Sequence, residues 1–374
     1  MELPVSGMKG LFHNTSRVRL RTWLAIGYAM FIVYASLSPF AGWREQGLDF
    51  IEVLRAPFQL TYTAFDAVIN LLSYLPFGLL AGLTLRIRFG AVASVILGLC
   101  LGVVLSASME YLQMYLPTRI SSNLDLLINS VGTLTGALLA VSMTSQTWFL
   151  SRLTRWRSDL FLHGKETDFG LALLALWMFG QVNPVLPLLG NVFISEASRK
   201  PFAAQPQASF DWWESGAVTL NLLMLGTLMM TLLRVPRNLN NALLLALGAV
   251  VLAKFITAAL LLKSWALLLW INSEAMLGML LGVVLLGSAL SFRRIWALRF
   301  GAAVALTYLI IVNLVLDNST PSAATSIYHW RYGHLLNYNG LAQTITLVFP
   351  LLLLFHLWRT WDVKSGDVRE NGGS

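Results

Sequence analysis

The chain has 374 residues, of which 56% are hydrophobic and 12% charged, with a net charge of +8. A soluble domain carries roughly 25% charged residues, so this composition cannot clothe a water-soluble globule, and lipid is the solvent that removes the conflict. The basic residues lie in short clusters between apolar runs, a pattern that argues for membrane topology and against a nucleic-acid-binding surface, and the single Cys100 excludes a disulfide framework within one chain.

Apolar segments of spanning length recur at about 22–41, 66–85, 90–113, 123–143, 168–190, 216–233, 241–262, 265–290, 296–316 and 340–358. They predict an all-α bundle of about ten transmembrane helices. The first run, Trp23 to Phe40, has no small-residue cleavage pattern and reads as a retained signal anchor. In 168–190 the pattern is interrupted by Asn183, Pro184 and Pro187, so a kinked span and a re-entrant segment both fit. With the N-terminus placed inside, 18 of the 26 Lys and Arg fall on the cytoplasmic side, seven outside and Lys254 within a span. That bias puts both termini in the cytoplasm of an inner-membrane protein. Residues 47–63 and 147–162 mix apolar and charged residues and suit short interfacial helices, with solvated linkers as the alternative. The tail from Val363 is polar and is expected to be disordered.

The chain divides on this reading into a four-helix unit at 22–145, a second at 168–290, two further helices at 296–358 and a cytoplasmic tail at 359–374. The two units share an internal pattern. Asn70-Leu71-Leu72 and Asn221-Leu222-Leu223 each open a span that ends at arginines, and Ser38-Pro39 and Asn183-Pro184 precede them. A tandem repeat explains this, and so does the chance likeness of apolar helices.

Polar residues inside spans are expensive, and most of those present gather at one level. Asp66 and Asn70 begin the second span, Glu110 and Gln113 end the third, Arg119 lies in the connecting turn, and Asp125 and Asn129 open the fourth. Spacings of three and four put each pair on one helix face. Three acids near one arginine invite a guanidinium–carboxylate pairing. Gly132 and Gly136 have the spacing of close helix packing, and Gly78 belongs with them. Such a network can lock helices, bind a ligand or place a general base, and composition does not separate the three.

From about Trp23 to Ala140 the chain resembles the VanZ-like family. The residues that carry the likeness are Asn70 with Pro76-x-Gly78, Glu110-x-x-Gln113, Pro117-x-Arg119, and Asp125-x-x-x-Asn129-x-x-Gly132-x-x-x-Gly136. The resemblance implies a cell-envelope role at the outer face, since the name-giving member confers resistance to the lipoglycopeptide teicoplanin, and it implies no assigned reaction. The second unit departs from the pattern. Asn221 persists, apolar residues replace the third-span acid and amide, and Lys254 and Glu274 are new charges that could pair.

Other candidates carry less. His329 and His334, beside Tyr328, Trp330, Arg331, Tyr332 and Tyr338, suit an aromatic interfacial belt better than a metal site. Phe210, Trp212 and Trp213 with Asp211 and Glu214 form a second outer patch. No cofactor and no metal are expected. The leading functional expectation is a non-enzymatic envelope protein. Its partners would be membrane lipids and a lipid-linked precursor or lipophilic antibiotic, bound at the outer leaflet. A transporter or flippase-like protein is the alternative, and an intramembrane hydrolase or transferase using Glu110 as base and Arg119 as anion clamp is a third.

Overall fold

The computed structural model describes residues 6–38, 40–58, 64–117, 119–145, 147–193, 210–235, 238–289, 294–316, 327–328 and 333–371. The helices are α1 (Ser6–Leu37), α2 (Phe50–Arg55), α3 (Ala64–Gln113), α4 (Asn123–Ser145), α5 (Thr147–Leu160), α6 (Lys165–Gln181), α7 (Trp212–Leu232), α8 (Leu239–Leu261), α9 (Ser273–Ala289), α10 (Arg294–Leu314) and α11 (Gly333–Asn371). They fall into two compact units, Met1–Asp159 and Leu160–Ser374. Among the described residues, seven helices are long and apolar enough to cross a membrane. The chain is a multi-pass helical membrane protein.

The expected ten spans map onto these helices with two adjustments. Spans two and three, expected at 66–85 and 90–113, are the two arms of α3, whose apolar stretch of 47 residues breaks at Gly90 with φ 80° and ψ −175°. At 1.5 Å per residue such a length crosses the hydrocarbon about twice. The two arms fold back on each other. A Cβ on Gly98 would lie 3.8 Å from the Gly82 nitrogen, so residues eight on either side of the break are neighbours. Span five, expected at 168–190, is a 17-residue helix followed by buried non-helical backbone from Val182 to Phe193. Span eight, expected at 265–290, is a 3-10 turn (Ser264–Ala266) and the short apolar helix α9. The expected tail is helical as far as Asn371.

Gly90 has open space around it, so its backbone angles alone require glycine. They lie in a region essentially closed to residues with a Cβ. Gly90→Ala is expected to cost about 1–3 kcal/mol, read as a lower unfolding temperature of the purified protein in detergent.

In the N-terminal unit α1 and α4 both pack on α3. A small core of Ile32, Leu37, Tyr74, Phe77, Met109 and Leu116 lies between them. In the C-terminal unit α7 is the hub, with 83% of its apolar window buried against 28% for α8 and 39% for α10. A helix so enclosed is a core helix, and its neighbours face lipid in its place.

The two units repeat one packing register. A Cβ on Gly132 would strike the Leu71 carbonyl, and one on Gly136 the Leu75 carbonyl and, at 2.7 Å, the Leu79 nitrogen. In the second unit a Cβ on Gly282 would come within 2.9 Å of Leu222, and one on Gly226 within 2.5 Å of Leu286. Counted from Asn70 and Asn221, Leu71 and Leu222 hold the same place, and so do Leu75 and Gly226. At the second level the small residue has changed sides. Gly136 against Leu75 becomes Leu286 against Gly226.

Candidate functional site

The polar residues of the N-terminal unit meet at the end where α1 stops, α3 stops and α4 begins. Three of them, Glu110, Gln113 and Arg119, bond the backbone of helix ends. Helix ends leave backbone groups without intrahelical partners, and in a low-dielectric setting those groups need bonds from elsewhere. Gln113 Nε2 donates to the Ser36 carbonyl at 3.0 Å, and Arg119 Nη2 to the Ala35 and Ser38 carbonyls at 3.2 and 3.1 Å. The last turn of α1 is thus capped by an amide and a cation from another part of the chain, the sign that suits a helix C-terminus. Burial pulls the Arg119 pKa below its ordinary value, yet a guanidinium stays charged.

Glu110 does the opposite job for α4. It is only 4% exposed. Its Oε2 accepts from the Ser122 backbone N–H at 2.8 Å and from Ser121 Oγ at 3.1 Å. Ser122 Oγ in turn accepts from Leu124 N at 3.2 Å, the N-cap bond of α4. In an ordinary capping box the acid three residues on, here Asp125, would reach back to Ser122 N–H. Glu110 of α3 has taken that place, and Asp125 accepts from Asn70 Nδ2. Deeper in the unit Asn129 Nδ2 donates to Ser106 Oγ at 2.9 Å.

Among the described residues the expected guanidinium–carboxylate pairing is not formed. Arg119 lies on carbonyls, Glu110 on an N-terminus, and no described carboxylate reaches Arg119. Backbone carbonyls at the end of α1 compete better for the arginine because no other group can satisfy them. Asp66 is helical within α3, and its side chain lies outside the described residues. Arg119→Leu should leave two carbonyls bare and destabilise the unit by about 1–3 kcal/mol. Arg119→Lys should lose less, as checked by thermal unfolding in one detergent.

Over this capped end runs the segment from Phe40 to Phe58, including α2. It is pinned by Arg44 N to the Tyr115 carbonyl at 2.9 Å, Gln46 Nε2 to the Met114 carbonyl at 2.7 Å and Asn123 Nδ2 to the Ala56 carbonyl at 2.5 Å. Asp49 caps α2 through Ile51 N at 2.8 Å. Phe50 stacks edge-on to Tyr111 at 5.6 Å. Although pinned, the segment leaves Trp43, Leu48, Ile51 and Phe58 43–58% exposed, and neighbouring Ile120 is 85% exposed.

Tested against known families, this end of the molecule has relatives. Residues 11–149 match the VanZ/LLP1 family model. The likeness covers the N-terminal part of the chain, including every residue of the capped cluster. No curated protein and no solved structure gives a significant match. Within the matched residues, Glu110, Gln113 and Arg119 bond helix-end backbone, and Asn70 with Asp125 and Asn129 with Ser106 form side-chain pairs.

Sequence reasoning missed Ser106, Ser121 and Ser122. The capping signature Ser122-x-x-Asp125 was a signal for the last of them. In the C-terminal unit the expected Lys254–Glu274 pair is not formed either. Lys254 is fully buried, and its Nζ donates to the Gln181 and Asn183 carbonyls at 2.9 and 2.6 Å, where α6 ends. Glu274 lies by Ser273 Oγ and Asp211 N. Asn221 accepts from Trp177 Nε1 and donates to the Leu189 carbonyl, each at 2.8 Å. In the outer patch Trp212 and Trp213 are exposed, but Glu214 turns inward and is buried. Of the aromatic loop near His329, residues 329–332 lie outside the described residues, as does the His334 side chain. Tyr328 is buried and donates to Asn339.

Proposed function

We propose that the VanZ/LLP1 part is a non-enzymatic binding module of the cell envelope. It takes an amphiphilic ligand, a lipid-linked envelope precursor or a lipophilic antibiotic, at the outer leaflet. The observation that carries this reading is the pinned segment from Phe40 to Phe58, with Trp43, Leu48, Ile51 and Phe58 exposed beside Arg44, Asp49, Glu52 and Arg55. Apolar groups and charges held on one fixed rim suit a ligand with a lipid tail and a polar head. The excess of Lys and Arg on the opposite side supports an outward orientation of this rim. Binding is favoured over catalysis because Glu110 is buried and committed to the start of α4, out of reach of a substrate.

The test uses the full chain in lipid nanodiscs with two probes, a polyprenyl diphosphate and a lipoglycopeptide. Wild type should bind one of them saturably, and Leu48→Ser with Ile51→Ser should weaken binding at least about tenfold without lowering the unfolding temperature, since exposed side chains contribute little to stability. Absence of saturable binding by either probe in the wild type would refute the proposal.

A further inference from the structure

The C-terminal unit contains a second buried polar site that the reading above does not use. After α6 ends, the chain runs without helix from Val182 to Phe193, and most of this segment is buried. Irregular backbone at membrane depth persists only where protein or an enclosed cavity satisfies it. Here two ionisable side chains do so at its two ends. Lys254 holds the carbonyls of Gln181 and Asn183. Glu214, in the first turn of α7, accepts the N–H groups of Asn191 and Val192 on Oε1 at 2.8 and 3.3 Å. Gly190 makes the second contact possible, because a Cβ there would collide with Glu214 Oε1. Between these ends Asn221 holds the Leu189 carbonyl, and Leu188 N donates to the Trp270 carbonyl at 2.9 Å.

Among the described residues Glu214 has no countercharge. It is 3% exposed, and its Oε2 has no partner. Two neighbours are also buried with an unpartnered polar atom, Asn191 at Nδ2 and Ser215 at Oγ. Each element packed on α7 can be searched for a cation. The cap of α7 brings Asp211, and α9 brings Glu274, whose Oε1 lies 3.5 Å from Asp211 N. From α10 comes Tyr308, which donates to Asn191 Oδ1 at 2.6 Å. Lys254 of α8 is occupied at the other end of the segment. The described charges of α6, α10 and α11, namely Lys165, Glu166, Asp168, Arg299, His356 and Arg359, gather toward the far end of α7, where His356 meets Thr231 and Arg299 lies over Trp361 of α11. Thr231 lies seventeen residues from Glu214 in sequence, roughly 25 Å along a helix. Among the described residues the surroundings of Glu214 are acidic or neutral. A lone buried carboxylate neutralises itself by taking a proton when no cation is available.

We infer that Glu214 is a proton-binding site whose occupancy sets how the end of the 182–193 segment is held. With the proton on, the carboxylic acid accepts Asn191 and Val192 N–H through Oε1. When the acid O–H bond breaks, the proton passes to water at the exposed rim by Trp212 and Trp213. The carboxylate then offers two charged acceptors, and Asn191 Nδ2 and Ser215 Oγ are the unpartnered donors beside it. Turning the Asn191 amide costs its bond from Tyr308, so the segment end shifts. Trp177 and Trp270 report that shift, because Asn221 and Leu188 tie them to the same segment.

The experiment is a pH titration of the full chain in nanodiscs, followed by the infrared carbonyl band of a protonated carboxylic acid and by tryptophan emission. A band that disappears on raising pH, with emission changing over the same range and both changes absent in Glu214→Gln, supports the proposal. A titrating band as large in Glu214→Gln as in the wild type, or one lost with pH without any emission change, overturns it. If Glu214→Gln does not insert, Glu214→Asp keeps a carboxyl one methylene shorter and must move the titration midpoint. An unmoved midpoint overturns the proposal equally.

Discussion

Gly136→Leu is expected to abolish the folded N-terminal unit, with the protein falling at least about tenfold in membrane abundance. A Cβ at this position would meet the backbone of α3 at two atoms one turn apart, the carbonyl oxygen of Leu75 and the nitrogen of Leu79. Backbone cannot rotate aside as a long side chain does, so the two helices would have to separate along their whole contact. Overpacking costs about 1–3 kcal/mol where neighbours can adjust, and more where they cannot. Lipid offers no hydrophobic force to press the helices back together, and small residues at the crossing are what let them associate. Gly27, which has no heavy atom near its hypothetical Cβ, is the control. Gly27→Ala should leave abundance unchanged. Fluorescence-detected size-exclusion chromatography of tagged variants reads both outcomes, and normal levels of monodisperse Gly136→Leu would refute the close-packing account.

The second large effect belongs to Glu110. Glu110→Ala removes the acceptor for Ser122 N–H and Ser121 Oγ inside a buried turn. The expected loss is about 1–3 kcal/mol, the cost of leaving a buried donor without its acceptor. Glu110→Gln keeps an oxygen at the same reach and should cost less than half of that. Any measured activity should then follow stability through the series, with Gln near wild type. A general base would behave differently. Glu110→Gln would be stable and inactive, and that result would restore the catalytic reading.

The spans were legible in the sequence because an apolar run near 20 residues long matches the thickness of the hydrocarbon and suits little else. The polar cluster was legible as a cluster for a related reason, since spacings of three and four put its members on helix faces. What each member holds was not legible. Arg119 and Glu110 carry opposite charges and lie nine residues apart in sequence, which suggested a pair. The carbonyls of Ala35 and Ser38 and the N–H of Ser122 have no one-letter code, and they decided the matter. Lys254 repeats the lesson. Glu274 was the obvious partner, and the end of α6 proved to be the actual one.

Composition and periodicity by themselves determined that this is a helical membrane protein and that polar groups gather at one level of the first unit, and the motif residues from Asn70 to Gly136 carried the resemblance to VanZ-like proteins. Those properties follow from side chains, which the sequence spells out. Only the tertiary structure decided that the turn between the second and third spans is made by a positive φ at Gly90, that α7 is enclosed by its neighbours, and that Glu110, Gln113 and Arg119 serve helix ends. Each of these depends on where unpaired backbone groups come to lie once helices pack, and every residue contributes the same backbone groups whatever its name. The glycines stand between the two kinds of knowledge. Their spacing marked a crossing, and the positions of Leu71 and Leu75 carbonyls showed which helix they cross.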